Sequence, residues 1–166
     1  MSTSKQLWAP WRMTFLKNEA HSISGCVFCH LLKENKDPDN LILFRAKHSF
    51  VILNKYPYNN GHLMVVPLKH TADLDSLSEN EHLELITLSN HCMKALKETY
   101  KPEGFNLGMN LGAAGGAGIR EHLHFHIVPR WTGDTNFMPV LADVKTMPQH
   151  LTESFNQLEP YFRRLP

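Results

Sequence analysis

Three histidines alternate with apolar residues in the run from Glu121 to Trp131, EHLHFHIVPRW: His122, His124 and His126 against Leu123, Phe125 and Ile127. Neutral imidazole is both a nucleophile and a metal ligand near pH 7, and which role a ring plays depends on how its other nitrogen is held. The period of two is that of a β-strand with one apolar face and one face of imidazoles. At ~3.3 Å per residue the outer two rings of a regular strand lie ~13 Å apart, too far for adjacent places on one ion. Either the histidines have separate jobs or the strand is not regular. Just upstream runs LGAAGGAGIR, Leu111 to Arg120, a glycine-rich loop whose backbone amides can surround an anion.

A second constellation is the Cys26–Cys29 pair in GCVFCHLLKEN. Its spacing suits two thiolates on one Zn²⁺ at the opening of a short helix, or a redox pair. Two further ligands for a metal must come from elsewhere. Cys92 falls inside a helical pattern and reads as a small buried side chain. An odd cysteine count argues against a disulfide framework.

The 166 residues are 42% hydrophobic and 20% charged, with eleven histidines and a net charge of +1. That balance fits one soluble domain, residues 1–166, and nothing in it suggests a general nucleic-acid surface or an acidic tail. No run of ~18 apolar residues suggests a membrane span, and the first residues lack a signal peptide's apolar core. Cytoplasm is the expected location.

The elements that must position the chemistry follow in order. Residues 1–24 read as an irregular arm whose Leu7, Trp8, Pro10, Trp11 and Phe15 pack on this domain or on a partner subunit. LILFR (41–45), SFVILN (49–54) and HLMVVP (62–67) read as strands, the last ended by Pro67. Ser78 and Glu81 form a capping box ahead of a long helix to about Tyr100, with Leu85, Ile86, Met93 and Leu96 facing the core. FNLGMNLG (105–112) alternates as a strand, residues 131–146 form a loop, and Leu151, Phe155, Leu158 and Phe162 share one face of a C-terminal helix over 147–164. The expectation is α+β: an antiparallel sheet of about five strands with one long helix and a C-terminal helix.

With GHLMVVPLKH (61–70) and HLHFHIV (122–128) both in view, the sequence resembles the histidine-triad (HIT) superfamily from about Cys26 to Trp131. The resemblance implies a HIT-like fold, commonly a homodimer, that transfers a nucleotidyl group. His124 would be the nucleophile at an α-phosphate, with His126 and His62 as donors or orienters. Asn54 would lie near the nucleotide, and the amides of Gly115, Gly116, Ala117 and Gly118 near its phosphates, with Asn106 or Asn110 adding a side-chain donor. Zinc-bearing relatives imply a structural Zn²⁺ on Cys26, Cys29, His70 and His122, with His48 a competing ligand. Phe28, Phe50 and Ile52 are candidates for base recognition.

The frame of LWAPWR, LNKYPYNNGHLMVVP and HLHFHIVPRWTGDTNFM is similar to the bacterial diadenosine tetraphosphate phosphorylase branch. That branch implies phosphorolysis of diadenosine tetraphosphate by inorganic phosphate to ADP and ATP. The loop before the triad lacks the hydroxyl or amide side chain many relatives carry there. The alternatives are therefore a dinucleoside polyphosphate or phosphoramidate hydrolase, or a non-catalytic nucleotide-binding module. A metal oxygenase would leave the CxxC unexplained.

Overall fold

The computed structural model describes residues 25–134 and 147–165. The expected arm at 1–24 and most of the loop at 131–146 lie outside the described residues. The elements are helix α1 (Val27–Glu34), strands β1 (Ile42–Arg45), β2 (Ser49–Leu53) and β3 (Leu63–Pro67), a 3₁₀ turn (Leu74–Ser76), helix α2 (Glu79–Tyr100), strands β4 (Gly104–Gly108) and β5 (Phe125–Arg130), and helix α3 (Leu151–Phe162). The strands form one sheet of order β1-β2-β3-β5-β4, antiparallel throughout. This is the expected α+β architecture of five strands, a long helix and a C-terminal helix.

Alternation along the strands sends side chains to two cores. Val51, Leu53, Leu63, Val65 and Ile127 join Leu85, Leu88 and Leu96 of α2 and Phe155, Leu158 and Phe162 of α3 on one face. Ile42, Phe50, Ile52, Met64 and Val66 pack with Phe28 of α1 on the other. The sheet is therefore covered on both faces, which explains why every residue of β2 and β3 is buried.

Helix α2 starts at the expected capping box: Ser78 accepts from the Glu81 amide, and the Glu81 carboxylate accepts from the Ser78 amide. Its buried stripe runs through Leu85, Leu88, Ser89, Cys92, Ala95 and Leu96. Ile86 is a correction. It sits one step, about 100°, round the helix from Leu85 and is 59% exposed rather than core-facing. Cys92 is buried as expected.

The boundaries carry further corrections. β4 covers only Gly104–Gly108, so Met109 to Gly112 belong to the approach to the glycine loop rather than to a strand. Helix α3 spans Leu151–Phe162 and not 147–164. The histidine strand is the largest departure. β5 begins at Phe125, leaving His122 and His124 outside the sheet. Pairing with β3 runs Leu63↔Ile127, Met64↔His126 and Val65↔Phe125. Continued pairing would bring Pro67 opposite Leu123, and proline has no N–H for a ladder bond. The chain peels away there, and the Leu123 amide bonds to Thr71 O at 2.7 Å instead.

Beyond Ile127, β5 pairs only with β4, so Pro129 is tolerated, and its carbonyl accepts from the buried Asn59 at 3.1 Å. Asn59 also donates to Asp134 at 2.7 Å, and Asp134 holds Arg130 at 2.6 and 2.8 Å. This network ties the turn before β3 to the end of β5. The Arg130 guanidinium, then the Trp131 and Asn59 donors, hold the Asp134 carboxyl well below the usual carboxylate range. A depressed folded value contributes stability that is present above the unfolded pKa near ~4 and lost as pH falls through the lower folded value. Asp134→Asn is expected to cost about 1–2 kcal/mol at pH 7. Urea titrations at pH 7 and pH 3 should show that deficit shrinking in acid; an equal deficit at both would reject the assignment.

Candidate functional site

Four ligand atoms meet where α1, the segment after β3 and the segment before β5 converge. Cys26 and Cys29 come from the first turn of α1, His70 follows Pro67, and His122 precedes β5. Cys26 Sγ lies 3.2 Å and Cys29 Sγ 3.7 Å from His122 Nδ1; Cys29 Sγ lies 3.5 Å, and His122 Nδ1 3.4 Å, from His70 Nδ1. An ion bound tetrahedrally at about 2.3 Å from sulfur and about 2.0 Å from nitrogen separates S from N by about 3.5 Å and N from N by about 3.3 Å. The observed spacings match that figure.

His122 Nε2 donates to Pro67 O at 2.8 Å, which leaves the lone pair on Nδ1, the atom turned to the group. Burial lowers the His122 pKa and so favours the neutral ring. Burial also pushes the Cys26 thiol up to about 11, so an ion arriving here must displace its proton. The group can hold a metal ion, and its four donors leave no position for a substrate. His48 is not in it; the His48 amide bonds to Glu84.

Phe28 stands between this group and the next histidine. Its ring centroid is 5.4 Å from those of both His122 and His124. Beyond it opens a cavity of about 410 Å³. Its walls combine the apolar side chains of Phe28, Leu31, Leu41, Ile52, Met64 and Ile119 with His124, His126 and Gly118. Asn54, Lys55 and Tyr56 border it after β2, and His150, Leu151 and Thr152 reach it from the start of α3.

The three inner histidines have fixed tautomers. His124 Nδ1 donates to the His122 carbonyl at 2.9 Å, leaving the in-plane lone pair on Nε2. The Tyr58 amide donates to His62 Nδ1 at 3.0 Å, so His62 carries its proton on Nε2. That proton goes to His126 Nδ1 at 2.9 Å, which puts the His126 proton on its own Nε2. His62 is fully buried and stacked on Tyr58, with ring centroids 4.9 Å apart. The arrangement therefore offers one nucleophilic nitrogen beside one N–H donor in a cavity with largely apolar walls.

The other expected site residues are distributed unevenly. Asn54 is at the cavity, yet its Oδ1 accepts from the Tyr56 amide and its Nδ2 lies 3.3 Å from His62 Nδ1, so it braces the histidine relay. Asn106 is drawn away: its Oδ1 accepts from Arg130 at 2.7 Å. Neither Asn106 nor Asn110 borders the cavity. In the glycine loop, Gly115 is required because a Cβ there would sit 2.3 Å from Leu111 O. The Gly116 and Ala117 amides bond to the carbonyls of Ala113 and Gly112, so they close the turn instead of facing an anion. Only Gly118 of the four loop residues lines the cavity. Phe28 and Ile52 are in the wall; Phe50 lies behind, 6.2 Å from Phe28.

Sequence reasoning missed the α3 contribution, which has no local signal, and Leu31, which the i, i+3 spacing from Phe28 on α1 would have supplied. It also missed the reason for glycine at 61. There φ is +73°, and a Cβ would come within 2.8 Å of Leu96 and 2.9 Å of Tyr100. Gly61→Ala is expected to lose about 2–4 kcal/mol from left-handed strain and overpacking together. Chemical denaturation measures this directly, and a loss below about 0.5 kcal/mol, the range of ordinary surface changes, would contradict it.

The family model for the HIT domain matches residues 35–133. The AP-4-A phosphorylase of Mycobacterium tuberculosis is 36% identical over 168 residues, covering 98% of this chain and 86% of that protein. The adenosine 5'-monophosphoramidase hnt1 of Schizosaccharomyces pombe is 30% identical over 106 residues, covering 64% of this chain and 74% of the relative. Among solved structures, a zinc-bound histidine triad family protein from Mycobacterium smegmatis superposes with a TM-score of 0.67 at 23% identity, over 84% of this chain and 94% of its own.

Proposed function

The chain belongs to the HIT domain family, and we propose that it moves an adenylyl group between phosphate-bearing partners through a covalent bond to His124. The observation that carries this reading is the hydrogen bond from His124 Nδ1 to the His122 carbonyl. It fixes the ring so that Nε2 is the nucleophile without prior deprotonation.

In the first step His124 Nε2 attacks the α-phosphorus, an N–P bond forms, and the bond to the leaving polyphosphate oxygen breaks. His126 Nε2–H donates to the phosphoryl oxygens as charge builds on them, and the Gly118 backbone borders the same space. His62, held by Tyr58 and Asn54, keeps that donor in place. In the second step an oxygen of the acceptor attacks the same phosphorus, the N–P bond breaks and His124 is restored. With diadenosine tetraphosphate as donor and inorganic phosphate as acceptor, the products are ATP and then ADP. The similarity to the mycobacterial AP-4-A phosphorylase over almost the whole chain supports this pairing.

A second reading rests on the glycine loop. Residues 111–119 carry no hydroxyl, and two of the loop amides are already used, so little is built there to seat a phosphate acceptor. Water as acceptor would make the protein a hydrolase of adenylyl anhydrides or phosphoramidates, in line with the similarity to hnt1.

Incubation with diadenosine tetraphosphate separates the two. ADP plus ATP formed only with phosphate supports phosphorolysis; AMP plus ATP in either condition supports hydrolysis. His124→Asn should lower turnover at least about 10³-fold while nucleotide binding survives. Full activity in that variant would end the covalent reading.

The ion that suits two thiolates and two imidazoles is zinc, with a structural role: it would fasten α1 to the segments on either side and so hold Phe28 and His122 in register. Native protein is expected to carry one zinc per chain, and Cys26→Ser well under one, with a lower Tm. Uptake should weaken about tenfold per pH unit for each proton displaced as pH falls from 8 to 6, because the Cys26 thiol is protonated throughout that range. Full zinc content in Cys26→Ser would sink the assignment.

A homodimer fits the open outer edge of β4, where Leu107 is 46% exposed, and a cytoplasmic location fits three unpaired cysteines. Among the described residues no helix is long and apolar enough to cross a membrane.

A further inference from the structure

Leu41 adopts φ +59°, in the left-handed region, although it is neither glycine nor asparagine. A leucine side chain rarely stays there, because its Cβ crowds the following carbonyl. The residue precedes β1 directly and lines the cavity. Regular alternation back from Leu43, which belongs to the α2-side core, would send Leu41 to that same side. Instead its side chain packs against both cores and reaches the wall formed with Leu31 and Ile52.

The surroundings hold this conformation in place. The Leu41 amide bonds to Pro38 O at 3.3 Å, and its carbonyl accepts from the Leu53 amide at 2.9 Å. The next amide, Ile42, bonds to Asp37 O at 2.8 Å. Asp37 is itself gripped by Arg45 through three bonds, at 2.6, 2.9 and 3.1 Å, while Arg45 also donates to Leu32 O in the last turn of α1. Strain persists where neighbours over-determine it, and such sites concentrate at ligand walls. The backbone turn alone does not require leucine, since a glycine would close it without strain. What a glycine would not provide is an apolar branch that bridges the margins of the two cores and lines the cavity.

We propose that Leu41 is a specificity-determining residue: its left-handed backbone swings an apolar side chain across the rim of the sheet to close the wall against which the purine of the substrate rests. The inference builds on the adenylyl-transfer reading of the cavity and adds a residue and a cause to it. Ile42 is the buried strand residue on that face, and Leu41 extends the wall past the place where the strand stops.

The test compares Leu41→Gly and Leu41→Ala with the native protein in two readouts. Both variants lose the apolar branch, so AMP measured by calorimetry should bind about tenfold more weakly in each, with the preference for AMP over UMP narrowed. In turnover, KM should rise while kcat changes little. Only the glycine variant relieves the backbone, so it should melt above the alanine variant, the reverse of the usual order. If both variants bind AMP as the native protein does, with the same base preference, the role given to Leu41 is wrong while adenylyl transfer stands. If Leu41→Ala melts above Leu41→Gly, the strain argument fails. If the native protein itself binds no AMP, the functional reading falls and takes this inference with it.

Discussion

One missing hydrogen governs the arrangement of the site. Pro67 has no N–H, so the ladder between β3 and β5 ends at Val65 and Phe125, and the chain before Phe125 leaves the sheet. Were the ladder to continue, His122, His124 and His126 would project from one strand at fixed intervals. Because it stops, the His122 ring donates to the Pro67 carbonyl, and the His122 carbonyl becomes available to the ring of His124. Two imidazoles two residues apart thus acquire opposite tautomers: His122 presents Nδ1 to the cysteines and His124 retains its lone pair on Nε2. His126, still within the sheet, takes its proton pattern from His62 across the strand pair.

Burial turns these tautomers into fixed properties. All four rings are less than a tenth exposed, which limits competition from bulk water for their nitrogens. The sequence pattern suggested imidazoles on a half-exposed strand face, but α1 covers that face through Phe28. A histidine row on a covered face needs internal partners, and the backbone gives one each to His62, His122 and His124, while His126 bonds to His62.

What could be read from the sequence was what depends on neighbours along the chain. The alternation in 49–53 and 63–67, the capping box at Ser78 and Glu81, and the apolar face of α3 are local signals, and the five strands and two longer helices follow from them. The resemblance to a known family brought Cys26, Cys29, His70 and His122 together, since no local rule links residues 96 positions apart. What stayed illegible depends on partners across space. The end of the histidine strand is set by a proline on another strand. Asn106 is captured by Arg130. The glycine loop spends the Gly116 and Ala117 amides on itself, closing the turn that Gly115 permits. Ile86 was misplaced because apolar character alone does not say which side of a helix a residue falls on when its neighbour is already in the stripe.

Helix α3 lies beyond the residues that define the family domain, yet it fills the α2-side core with Phe155, Leu158 and Phe162 and borders the cavity at His150 to Thr152. Ser154 and Gln149 tie its start to Asn60, two residues before His62. At the other end, Cys26, Phe28 and Cys29 also precede the matched span. The segment recognisable by descent and the segment that must be present for the cavity to have walls are thus different lengths of chain. A gene fragment cut to the family boundaries would carry all three triad histidines and His62, and would encode neither Cys26 and Cys29 nor the C-terminal helix that fills the core. Modularity in inheritance does not here mean modularity in folding.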